Sequence, residues 1–180
     1  MRVIADQSVA VIVDVQQRLF PHMHDSETLK TNLVKLIKGL QILGTPTLIT
    51  EQYSKGLGPT IDEIRDGFDE FTPVEKMSFS CCDDQGFLGR LGPLDPRFVI
   101  LVGIEAHVCI LQTSMDLLQA GYVPVVVADC VSSRRALDNE IALRRMESQG
   151  ALLTTSESIL FELCRYSGSD TFKAISRLVK

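Results

Sequence analysis

Residues 97–134 read RFVILVGIEAHVCILQTSMDLLQAGYVPVVVADCVSSR. Phe98–Val102 has the character of a buried strand, and Gly103 supplies a tight turn. A helix is expected from about His107 to Ala120, then a Gly-Tyr break, then a second buried strand at Tyr122–Ala128. Cys109 falls in the first turn of that helix. There the positive end of the helix dipole and unpaired N–H groups lower a thiol pKa and favour the thiolate. Such a cysteine is a nucleophile or a small core residue, since free cysteine is among the most buried types. The choice depends on what the rest of the chain brings to it.

The chain has 180 residues, 45% of them hydrophobic and 23% charged, which predicts one soluble domain spanning 1–180. A net charge of −5 without a basic stretch argues against nucleic acid as a partner. No apolar run reaches the ~18–20 residues of a membrane span. An acid, Asp6, interrupts the place where a secretory signal would have its apolar run. The five cysteines are Cys81, Cys82, Cys109, Cys130 and Cys164. Their odd number, with no CxxC, fits reduced thiols in a cytoplasm better than a disulfide framework or a four-cysteine zinc site.

Working outward, Ser8–Asp14 (SVAVIVD) is a strand buried on both faces. Asp14 lies at its C-terminal end, where open α/β sheets place ligands. Capping of a turn is the plainer role for this acid. Phe20 in the following loop either lines a cleft or covers the core. His22 and His24 lack a third ligand or clustered carboxylates, so no metal is expected. Ser26–Leu43 has helical spacing, and Thr45–Thr50 is a second strand begun by Pro46. The loop Glu51–Pro59 bears glycines but matches no phosphate-binding pattern.

Lys76 sits between Val74 and Met77 in a third short strand. Buried, it needs a counter-charge, and Asp14 is the candidate; otherwise it snorkels to the surface. Asp83–Leu91 and Arg135–Gln149 are further helices, the latter marked by Ile141, Leu143 and Met146. Ala151–Thr155 is the last strand, and two helices close the chain. Pro124 inside the Tyr122–Ala128 run requires an irregular start or a free N–H side. The alternation of strand and helix predicts an α/β fold with a mainly parallel sheet, its strand ends gathered along one edge. Asp14, the Glu51 loop, Lys76 and the Gly103–Cys109 turn then converge.

The stretches VIVDVQQRLF, EKMSFSCC and VGIEAHVCILQTSMDLLQAGYVPVVVADCVSS resemble, in order and spacing, the isochorismatase-like cysteine hydrolases. ITEQYSKGLGPT is most similar to the isochorismatase-domain-containing branch. The resemblance implies a Rossmann-like three-layer α/β/α sandwich. It implies a catalytic triad of Asp14, Lys76 and Cys109, with no cofactor. The thiolate attacks a carbonyl carbon, Asp14 carries the proton, and Lys76 holds Asp14 charged while supporting the thiolate. It further implies a cis peptide at Ile104–Glu105, and an oxyanion hole made of the Glu105 and Cys109 N–H groups. The pocket walls would include Phe20, Gln52, Tyr53 and Phe79, and the chain would form a homo-oligomer.

Two departures bear on substrate. Nicotinamidases of this family hold a metal with an Asp and two His after the second strand, where this chain has Glu51, Gln52 and Tyr53. Members that hydrolyse the vinyl ether isochorismate generally lack the cysteine that is present here. C–N hydrolysis of an amide, ureido or N-carbamoyl group in a small molecule is therefore expected. The alternatives are a vinyl ether hydrolase and a non-catalytic scaffold that keeps the fold. A dinucleotide-binding module is weaker, because no glycine fingerprint follows the first strand.

Overall fold

The computed structural model describes residues 1–180. Its strands are β1 (Ser8–Val13), β2 (Thr47–Gln52), β3 (Val74–Lys76), β4 (Phe98–Ile104), β5 (Val123–Ser132) and β6 (Leu152–Thr154). They form one sheet in the order β3-β2-β1-β4-β5-β6, with every neighbouring pair parallel. The helices are α1 (Ser26–Ile42), α2 (Ser54–Leu57), α3 (Asp62–Arg65), α4 (Gln85–Leu91), α5 (Leu111–Gln119), α6 (Ala136–Ser148), α7 (Ser156–Cys164) and α8 (Asp170–Val179). No helix is long and apolar enough to cross a membrane.

All residues of β1 and β4 are buried, so both faces of the sheet must be covered. Alternation along the strands divides the cover. Ala10, Ile12, Ile100, Val102 and Val125 meet Leu33, Leu36 and Leu40 of α1, Ile159 and Leu160 of α7, and Ile175 of α8. Val9, Val11, Val99, Leu101 and Val126 meet Phe87 and Leu91 of α4, Leu117 of α5, and Ala142 and Met146 of α6. Each such large side chain contributes about 1.5–3 kcal/mol when taken fully out of water. The result is the α/β/α sandwich that the alternation of elements predicts.

The strand order reverses between β1 and β4, which opens a crevice beyond their C-terminal ends. Asp14 follows β1 and the Cys109 turn follows β4, so both stand at that crevice. Gly103 belongs to β4 rather than to a turn. It pairs with Val13 at a φ of +115°, and a Cβ there would lie 2.1 Å from the Val13 carbonyl oxygen. Glycine is required for β4 to approach β1 this closely.

β5 runs to Ser132, beyond the expected Ala128, because its pairing with β4 jumps from Leu101↔Val126 to Gly103↔Val131. The looped-out residues between these pairs hide the strand's continuation from its sequence pattern. Pro124 lies one residue before β6 begins to pair at Val125. α6 packs through Ala142 and Met146, while Ile141, one of the apolar residues that mark the helix, is 52% exposed.

Candidate active site

Asp14 takes the left-handed conformation, φ +52°, immediately after β1. A short polar side chain tolerates that region better than the valines beside it. The turn aims its carboxylate across the sheet edge, where it is fully buried. Oδ1 accepts from Thr50 Oγ1 at 2.7 Å, and Oδ2 accepts from Lys76 Nζ at 2.7 Å. Lys76, at the end of β3, is 1% exposed, so the counter-charge expected from its apolar neighbours is present.

Lys76 Nζ also donates to the carbonyls of Ser78 and Phe79, at 3.0 and 3.1 Å. Its three ammonium protons are thereby committed. Lys76 acts on a nearby thiolate only through its charge, not through a hydrogen bond. Burial is the largest single effect and lowers the Lys76 pKa, but the Asp14 charge, together with Cys81, Cys109 and the hydrogen bond to Asp14, outweighs it, and the net shift is upward.

Cys109 occupies a single π turn, Ala106–Ile110, between β4 and α5. Such turns are frequent at functional sites. The residue is 3% exposed, and its thiol donates to Gln52 Oε1 at 3.8 Å. Burial and then the Asp14 charge push its pKa well above the usual thiol value; Lys76 only partly offsets them. This reverses the expectation of a primed thiolate at a helix start. The resting side chain is a thiol beside a carboxylate, and deprotonation belongs to the reaction rather than to the resting state. A second buried thiol, Cys81, packs on the same side of the sheet, its pKa pushed up to about 11 by burial and by Asp14.

The Ile104–Glu105 peptide is cis. The Glu105 N–H finds no acceptor in the chain, although the residue is only 6% exposed. The Glu105 carboxylate is held by the Arg134 N–H and Nε, both at 3.1 Å. His107 Nδ1 lies 2.8 Å from Ser133 Oγ. These contacts fix the turn to Ser133 and Arg134, just beyond the end of β5.

Gln16 was not singled out by sequence, yet it builds the opposite wall. It is fully buried; its Nε2 donates to the Gln52 and Gly58 carbonyls, and its Oε1 accepts from the Gln52 N–H. Its place two residues after Asp14 is the signal that could have marked it. Glu51, expected in a loop, is the buried penultimate residue of β2 and accepts from the Thr60 N–H and hydroxyl.

Of the expected pocket residues, Gln52 touches Cys109, while Tyr53 (48% exposed) and Phe79 (52% exposed) meet Lys76 through their main chains, the Tyr53 N–H donating to the Lys76 carbonyl and the Phe79 carbonyl accepting from Lys76 Nζ. Phe20 does not join them. It is 4% exposed within the α1-side core, so its ring packs against that core rather than a cleft. His22 and His24 form no cluster with other ligand types.

The isochorismatase domain profile matches residues 8–158. Isochorismatase domain-containing protein 2 of Danio rerio is 38% identical over 96% of this chain and 86% of its own. Among solved structures, the MAR1 ribonuclease of Caenorhabditis elegans superposes with a TM-score of 0.92 at 39% identity, covering 99% of this chain and 92% of that one. YcaC of Escherichia coli, described as an octameric hydrolase of unknown specificity, has the same fold (TM-score 0.92, 20% identity, 99% and 90% covered). A parallel α/β sandwich with this match is a hydrolase of the cysteine hydrolase superfamily. Within it, the chain belongs to the isochorismatase family.

Proposed function

We propose that this protein is a single-domain, cytoplasmic cysteine hydrolase that cleaves a C–N bond of a small molecule through Asp14, Lys76 and Cys109. The observation that carries the proposal is the Lys76–Asp14 ion pair, 2.7 Å and fully buried, placed beside the Cys109 thiol. A buried ion pair is often no more stable than a well-packed apolar substitute, so stability alone is a weak reason to keep one.

Cys109 Sγ attacks the substrate carbonyl carbon while its proton passes to Asp14. The Glu105 and Cys109 N–H groups hold the developing oxyanion, where one donor is worth roughly 3–4 kcal/mol. Asp14 returns the proton to the leaving nitrogen as the C–N bond breaks, leaving a thioester. Water then attacks, gives a proton to Asp14, and Sγ leaves and regains it. Lys76 holds the Asp14 carboxylate in place for the first transfer through their 2.7 Å ion pair.

The scaffold alternative calls for a separated Lys76 and Asp14 together with a Cys109 sealed in the core; Cys109 is only 3% exposed, but the intact 2.7 Å pair supports the enzyme reading. The ribonuclease named for the Caenorhabditis relative raises RNA as a second substrate class. The charge of −5 favours a small molecule over a polyanion. The octameric Escherichia coli neighbour supports homo-oligomerisation. The test is a screen of amides, ureides, N-carbamoyl compounds and a model RNA against wild type and Cys109→Ala. Turnover of a small C–N substrate that vanishes in Cys109→Ala is expected. RNA cleavage alone, or turnover that survives in Cys109→Ala, contradicts the proposal.

A further inference from the structure

We infer that Gln52 is a specificity-determining residue whose Oε1 accepts an N–H of the scissile group, so that the site selects amide-type substrates over esters of the same acyl part. This rests on Cys109 as nucleophile and narrows the substrate class of that site.

The orientation of the Gln52 amide is set from three sides. Its main-chain N–H and carbonyl are clamped by the buried Gln16, at 2.8 and 3.0 Å. Its Nε2 donates to the Met77 carbonyl at 3.3 Å. Turned over, the amide would set two oxygens against each other at Met77, so the nitrogen stays there and Oε1 faces Cys109. That places an acceptor, not a donor, 3.8 Å from the nucleophilic sulfur.

An acceptor there does not stabilise a thiolate; a lone pair facing an anion disfavours it. In the resting chain it accepts a hydrogen bond from the thiol. A substrate N–H bound to Oε1 replaces that contact and releases the thiol proton toward Asp14, the base. An ester brings a lone pair in place of the N–H and leaves Oε1 opposed. Sites built to hydrogen-bond one substrate group reject analogues that lack it far more strongly than apolar pockets reject a missing methylene. With a half-buried partner, roughly tenfold to a hundredfold discrimination is expected.

The test compares two alkylating probes matched in size, iodoacetamide and methyl iodoacetate. Second-order rates at Cys109 are read by peptide mass spectrometry and normalised to Cys164 in the same sample. Wild type is expected to prefer iodoacetamide at Cys109 by about tenfold or more over the Cys164 ratio. Gln52→Leu, which keeps the side chain's size, loses that preference with its Cys164 rates unchanged. An equal preference in wild type and Gln52→Leu overturns the inference. Should hydrolysis survive in Cys109→Ala, the nucleophile reading fails instead; Cys109-dependent hydrolysis with unchanged selectivity in Gln52→Leu removes the selectivity claim alone.

Discussion

Lys76 Nζ lies 2.7 Å from Asp14 Oδ2, with neither side chain exposed to solvent. Removing one partner strands the other charge in the interior. Lys76→Met is therefore expected to destabilise the fold by about 3–5 kcal/mol, read from urea denaturation. The double variant Asp14→Asn/Lys76→Met should recover part of that loss, since no unpaired charge remains. Equal losses in the single and double variants would count against the pair as a coupled unit.

The same site makes stability fall on the alkaline side. The Lys76 and Cys109 pKa values are both raised in the folded chain above their ordinary values of 10.5 and 9.0. Each group thus holds its proton more tightly when folded. Its contribution is complete below the unfolded value and is lost as pH rises through the folded one. Thermal melts should decline above about pH 9, and the Cys109→Ala melting curve should decline less steeply there. A melting temperature that rises between pH 9 and 11 would contradict this assignment.

Much of this arrangement is legible in the sequence, and the limits have physical causes. The doubly buried strands announce themselves as apolar β-branched runs, and an acid or lysine at such a run's end is conspicuous. Phe20 is equally apolar whether it lines a cleft or a core, so only packing distinguishes the two. The π turn at Ala106–Ile110 differs from an α turn by which carbonyl each N–H reaches, which the pattern of apolar residues does not record. The state of the Cys109 thiol depends on burial and on a carboxylate brought from another strand, neither of which is local to the cysteine. Gln16 has an ordinary polar side chain whose partners are 36 and 42 residues away.

Gln16 leads to a third expectation. Gln16→Leu leaves the Gln52 N–H and the Gln52 and Gly58 carbonyls without their partner, at roughly 1–3 kcal/mol for each group that stays buried. Hydrogen exchange should speed at Gln52, whose N–H loses its acceptor, well before the β4 amides are affected. Unchanged exchange at Gln52 would show that the clamp contributes nothing to the wall.

Gly103→Ala tests the close approach of β1 and β4. The added Cβ would meet the Val13 oxygen at 2.1 Å, at a backbone φ that alanine rarely adopts. Overpacking and the positive φ together should cost about 2–6 kcal/mol, seen as a large drop in the urea midpoint. A variant with wild-type stability would mean that the strands can separate freely at the crevice.

The central claim is that Cys109 carries the acyl group, and a direct measurement is acid quenching during turnover of a substrate found in the amide and ureide screen. Peptide mass spectrometry should place a thioester, of the mass of the substrate's acyl part, on the peptide containing Cys109, with Asp14→Asn slowing its formation. An acyl group found on another residue, or full turnover by Cys109→Ala, would contradict the account.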